Sequence, residues 1–177
     1  MNKLDQLDKF TIGIVTALAV YACSLIAFAY DPAQSEIDKK QEVAAKHHVA
    51  SPELLSKIDL AKNLLIQDNL DKSEALVETL IQQYPYEGAL YMLKGDILMR
   101  HQKPIDAMYE YKEAISLNPD FLDKKTKSFQ GKKIKNTVEE AMLVIESGLQ
   151  KDPADNSLKD AREIVYFMKR KLAGSCG

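Results

Sequence analysis

Residues 85–119 read PYEGALYMLKGDILMRHQKPIDAMYEYKEAISLNP. Proline suits the first turn of a helix and stops a helix that runs into it. This stretch therefore predicts one helix from about Glu87 to Arg100 and a second that opens at Pro104 and stops before Pro119. The second carries Ala107, Tyr111, Ala114 and Ile115 at helical spacing. Reading outward, Pro85, Pro119 and Pro153 lie 34 residues apart. Twelve positions before each stands a small residue, Ser73, Ala107 or Ala141, and eight before each an apolar one, Val77, Tyr111 or Ile145. A fixed period of this length marks a repeat architecture.

The flanking segments fit the same frame. Ser51-Pro52-Glu53 predicts an N-cap followed by proline at the first helical position. Leu54, Leu55, Ile58, Ala61, Leu64 and Leu65 follow at helical spacing. Asp71 with Glu74 reads as a capping box for a helix through Leu76, Val77, Leu80 and Ile81. Asn136 with Glu139 reads the same way for a helix through Ala141, Met142, Ile145 and Leu149. A last helix spans 157–172, with Leu158, Ala161, Ile164, Val165, Met168 and Leu172 as its apolar stripe. No alternating strand pattern competes, so the expected fold is all-α.

The middle copy, with Tyr91, Lys94-Gly95, Leu98, Ala107, Tyr111, Ala114 and Pro119, resembles the tetratricopeptide repeat family. In the copy before it, Ala61, Leu64, Ser73, Val77, Leu80 and Pro85 fill the equivalent places. The third copy fits in its second helix, through Ala141, Ile145, Gly148 and Pro153. In its first helix Phe129 stands where a small residue is expected and Lys132 where an apolar one is, which predicts a shifted or poorly packed helix. The resemblance implies three repeats over 51–155 (54–87, 88–121 and a degenerate 122–155), then a capping helix and tail over 156–177. It further implies a protein-binding groove lined by the first helix of each pair. Groove positions would be Leu55, Ile58, Lys62, Leu65, Ala89, Met92, Asp96 and Met99. Their apolar, methionine-bearing character fits varied apolar segments. Ile58 and Leu93 occupy two places where a reader of terminal carboxylates would carry polar residues, which argues against that specificity.

Ahead of the repeats, after a short tail of residues 1–9, residues 10–30 read FTIGIVTALAVYACSLIAFAY, 21 positions without a charge. A helix of that length spans roughly 30 Å, the hydrocarbon thickness of a bilayer. Three readings fit: a retained transmembrane signal anchor, a signal peptide cleaved after Ala27-Phe28-Ala29, and a lipoprotein at Cys23. The run exceeds a usual signal-peptide core and Asp5 and Asp8 offset Lys3 and Lys9, which favours the anchor; Tyr21 fits a lipobox badly. Lysines flank the run on both sides, so charge leaves orientation open. The short leading tail favours a cytoplasmic N-terminus, with the repeats outside the cytoplasm in a bacterial periplasm. Gly13, Ala17, Ala19, Cys23 and Ala27 offer small residues for packing on another membrane helix. Residues 31–50 are polar and read as a helical linker.

The chain has 177 residues, 46% apolar and 28% charged, with a net charge of -2, an ordinary globular composition. Near-neutral charge argues against a nucleic-acid partner. Charge is unevenly placed: residues 51–120 hold twelve acids and seven bases, and residues 121–177 hold eight acids and twelve bases. Lys124, Lys125, Lys127, Lys132, Lys133 and Lys135 form a basic patch, read either as a surface for an acidic protein or anionic lipid or as a solvated face. Lys169, Arg170 and Lys171 close the last helix. The two cysteines, Cys23 and Cys176, have no metal-ligand spacing, and the adjacent His47 and His48 have no further ligands beside them. No nucleophile elbow, zinc-protease motif or phosphate-binding glycine loop occurs. The expectation is a non-enzymatic interaction protein without cofactor or small-molecule substrate. It would be either a membrane-anchored scaffold assisting an envelope complex, a permanent accessory subunit of a membrane complex such as a respiratory one, or an exported chaperone-like binder.

Overall fold

The structure, a computed structural model, describes residues 51–174 together with Val15 and Tyr21. The described residues are helical, with no strand among them. Two compact units divide the chain at Glu36 and Ile37, and residues 51–174 belong wholly to the second. Over residues 51–174 six helices follow one another: α1 (Pro52–Ile66), α2 (Leu70–Gln83), α3 (Gly88–Arg100), α4 (Pro104–Leu117), α5 (Gly131–Lys151) and α6 (Asn156–Gly174). A single 3-10 turn, Pro119–Phe121, sits between α4 and α5. Each helix packs on the next, with further contacts of α1 on α3 and α4 on α6.

The 34-residue period is written in the backbone. Asp68 and Gln102 have φ of 61° and 59°, left-handed geometry that ordinary residues seldom adopt. They occupy matching places in the turns that follow α1 and α3. Around the first, the amides of Asp68 and Asn69 donate to the carbonyls of Leu65 and Leu64 at 3.1 and 2.9 Å. Around the second, Gln102 and Lys103 donate to Met99 and Leu98, both at 3.0 Å. Both are Schellman caps, which satisfy the last carbonyls of a helix while reversing the chain.

The helix ends before the prolines repeat as well. Tyr84, Asn118 and Asp152 have φ of -131°, -137° and -132°, and their amides donate to the carbonyls of Leu80, Ala114 and Gly148. The cause is local: the ring of the following proline clashes with a helical conformation at the residue before it. Burial has the same period, since Ser73, Ala107, Ala141, Val77, Tyr111 and Ile145 are all 0% exposed. The Ser73 hydroxyl donates to the Ala61 carbonyl at 2.8 Å, tying α2 to α1.

The period breaks once. The position equivalent to Asp68 and Gln102 is Asn136, and no turn forms there: α5 runs through it as one helix of 21 residues. Residues 122–130 make a loop instead, closed by the Gln130 amide on the Phe121 carbonyl at 2.7 Å. Phe129 explains the loss. Its counterparts Ala61 and Gly95 are buried at close helix contacts, where a phenyl ring would hold two helices apart. Its ring lies against Gly131 at the start of α5. Asn136 and Glu139 therefore lie inside α5 and cap nothing. Asp71 is likewise not a cap, because α2 begins at Leu70 behind Asn69. Ser51 does cap α1, accepting from the Leu54 amide at 3.2 Å.

The core lies in three clusters. Leu54, Ile58, Leu80 and Leu90 form one, and Ala61, Leu65, Val77, Leu93 and Ile97 another. The largest gathers α3 to α6 around Tyr111, Ile134, Val138, Ile145, Val165 and Met168, with Phe121 of the 3-10 turn and Leu122 of the loop among its members. Among the described residues no helix is long and apolar enough to cross a membrane. The apolar run 10–30 lies outside them except at Val15 and Tyr21, as do Gly13, Ala17, Ala19, Cys23 and Ala27.

Candidate functional site

The eight positions expected to line a groove do not form one open surface. Ile58, Leu65 and Met92 are core residues at 3%, 9% and 5% exposure, one in each cluster, and so are unavailable to a partner. The reason is geometric. A helical pattern reveals that a helix has an apolar face, and here that face is covered by the neighbouring helices of the array. Lys62 is exposed and pairs with Asp59 on its own helix at 3.3 Å. Leu55 is exposed, and Ala89 and Met99 are half-buried.

Asp96 is already engaged. The Tyr111 hydroxyl donates to its Oδ1 at 2.6 Å, and Lys133 Nζ donates to its Oδ2 at 2.8 Å. One carboxylate on α3 thus joins α4 and α5. Burial is the main cause that pushes the Tyr111 phenol far above its ordinary value, and the adjacent Asp96 charge adds to it. The Thr137 hydroxyl on α5 approaches the same phenol and acts the other way. Room for the ring comes from Gly95: a Cβ there would collide with Tyr111 Cε1. The ion pair Lys94–Glu110, at 2.9 Å, adds a second polar tie between α3 and α4.

The basic residues divide between two settings. Lys124, Lys125 and Lys127 are exposed on the closed loop; Lys132, Lys133 and Lys135 occupy the first turns of α5. They therefore do not share one helix. Lys133 is committed to Asp96, and Lys135 reaches Glu139 at 3.8 Å with both side chains more than half exposed, a weak pair. Among the described residues no acidic partner stands within salt-bridge distance of Lys124, Lys125, Lys127, Lys132, Lys169 or Arg170. Lys171 and Lys112 lie over the Phe167 ring at 5.6 and 5.8 Å.

Between α5 and α6 opens a cleft of about 360 Å³, lined by Lys135, Val138, Glu139, Lys169, Leu172 and Ala173. Sequence reasoning named the lysines but not this cleft, because the side-by-side placement of the start of α5 and the end of α6 is a property of packing. A second hollow of about 370 Å³ lies beside the α1–α2 turn, lined by Asp68, Asn69, Leu70, Asp71, Lys72 and His101. There His101 Nε2 is buried, without a hydrogen bond, 3.5 Å from Glu74. Comparison of the chain with protein-family models, with curated proteins and with solved structures gave no match.

Proposed function

We propose that this chain is a membrane-anchored helical-repeat scaffold of the tetratricopeptide class that assists assembly or stability of a membrane protein complex. The observation that carries the repeat reading is the 34-residue recurrence of left-handed turns at Asp68 and Gln102 and of pre-proline caps at Tyr84, Asn118 and Asp152. On this reading α1–α2 and α3–α4 are two repeats, α5 is the surviving second helix of a third, and α6 caps the array. The uncharged run 10–30 supports a single membrane anchor, with the repeats outside the cytoplasm. The work is positioning: the anchor fixes where the array sits, and tethering raises its effective concentration toward partners in the same membrane.

A second reading, a permanent accessory subunit, draws on a specific observation. Ile58, Leu65, Met92 and Asp96 are taken up by the protein's own contacts, which leaves only half of the eight expected groove positions for exchanging clients. Native membranes solubilised in mild detergent, separated on a blue-native gel and identified by mass spectrometry, test both readings. An intact chain with several substoichiometric partners supports the scaffold, and one in a fixed-stoichiometry band supports the subunit. A soluble species beginning near Tyr30 would overturn the anchor.

A further inference from the structure

The start of α5 runs against electrostatic expectation. A helix N-terminus carries partial positive charge and is stabilised by acids, yet the first turn of α5 has none and Gln130 makes no side-chain cap. Lys132, Lys133 and Lys135 stand there instead, behind a loop that adds Lys124, Lys125 and Lys127. Asp123 is the sole acid between residues 121 and 138. The end of α6 brings Lys169 to the same place, since Lys135 and Lys169 line one cleft, whereas Lys171 lies over the Phe167 ring. Cations suit the C-terminus of α6, but those on α5 and its loop cost stability, and among the described residues their only compensating pairs are Lys133–Asp96 and the exposed Lys135–Glu139. The shape of the site narrows what offsets that cost. A flat anionic membrane would contact lysine tips and leave a concavity empty. Here Val138, Leu172 and Ala173 form an apolar floor between two lysines.

We propose that the α5–α6 cleft docks an acidic amphipathic segment of a partner protein. A large apolar side chain of that segment fills the cleft over Val138 and Leu172. Its flanking carboxylates meet Lys135 and Lys169, and the loop lysines extend the field that steers it in. Glu139 is the one acid in the lining and disfavours a carboxylate on its side, which gives the segment a preferred direction. The inference needs only the cleft and its charges, so it stands or falls apart from the tetratricopeptide and anchor readings.

The probe is a fluorescent synthetic peptide, helical by design, with glutamates on one face and leucines on the other. It is titrated against the full chain in mild detergent and read by anisotropy. Binding is expected to weaken roughly tenfold in the double variant K135E/K169E and to fall with added salt. The variant K151E, at the far end of α5, should bind as the native chain does, with circular dichroism checking that all proteins are folded. Equal binding by K135E/K169E, or equal binding of a peptide with lysines in place of its glutamates, overturns the proposal. So does undiminished binding of a peptide with alanines in place of its leucines, because the apolar floor would then play no part. If phosphatidylserine vesicles displace that alanine peptide, the patch belongs to a membrane surface instead.

Discussion

Tyr111 stands where Val77 and Ile145 stand in the neighbouring copies, and the larger ring is admitted by a glycine opposite. Gly95→Ala separates two opposing effects. Alanine favours a helix interior over glycine by about 1 kcal/mol. Its methyl group would also sit well inside contact distance of the Tyr111 ring, and overpacking of that kind costs about 1–3 kcal/mol. The ring is fully buried and held at its hydroxyl by Asp96, so it has little freedom to give way. Net destabilisation by urea unfolding is the expected result; a more stable variant would show that the two helices do not meet so closely. Tyr111→Phe removes the hydroxyl and leaves Asp96 with Lys133 alone, at an expected cost of about 2 kcal/mol for a hydrogen bond to a charged acceptor. The pH dependence has a definite sign. The folded phenol titrates above the unfolded value of about 10. Folding therefore keeps a proton that the unfolded chain loses, and stability declines as pH rises beyond about 10. Chemical denaturation across the alkaline range should show that decline in the native chain, and less of it in Tyr111→Phe.

At the scale of the element, the turns carry the strain. Gln102 holds a left-handed conformation that costs a side-chain-bearing residue about 1 kcal/mol, and among the described residues no hydrogen bond of its side chain offsets it. Gln102→Gly should stabilise the chain by about 1 kcal/mol, seen as a higher urea midpoint at unchanged slope. The same substitution at Asn136, exposed and helical in α5, should destabilise by a few tenths of a kcal/mol, about the gap between asparagine and glycine in helix propensity. Two residues at equivalent places in the period thus respond with opposite sign, a direct test of where the repeat breaks. How much of this was legible beforehand depends on how local each cause is. Pro85, Pro119 and Pro153 announce the period because proline acts on its own neighbours. Phe129 and Lys132 announce a failed helix because they contradict the size and polarity their places require. Asn136 and Glu139 misled because their capping signal is real in isolation and yields when the helix continues through it. Ile58, Leu65 and Met92 misled for a different reason: periodicity gives the apolar face of a helix, but which flank a neighbour covers is decided by packing. The α5–α6 cleft was out of reach for that reason too.

Across the whole array, stability is unevenly supplied. The α1 end rests on Leu54, Ile58, Ala61 and Leu65, split between two small clusters. The α6 end places Ala161, Val165 and Met168, with Leu158, Ile164, Phe167 and Leu172 packed around them, into the largest cluster. Helices stacked in series contact few others, so each opens according to its own interface rather than the stability of the whole. The polar chain Tyr111–Asp96–Lys133 joins α3, α4 and α5 across the place where a helix is missing, which binds the C-terminal part into one block. Native-state hydrogen exchange of the full chain should therefore show α1 and α2 amides opening at lower free energy than those of α4 and α5. Val165→Ala would remove two methyl groups from a fully buried site, costing about 1–3 kcal/mol. It should speed exchange in α5 and α6 while leaving α1 unchanged. Uniform acceleration in every helix would mean a single cooperative unit, and the weak end next to residues 31–50 would then be no weaker than the rest.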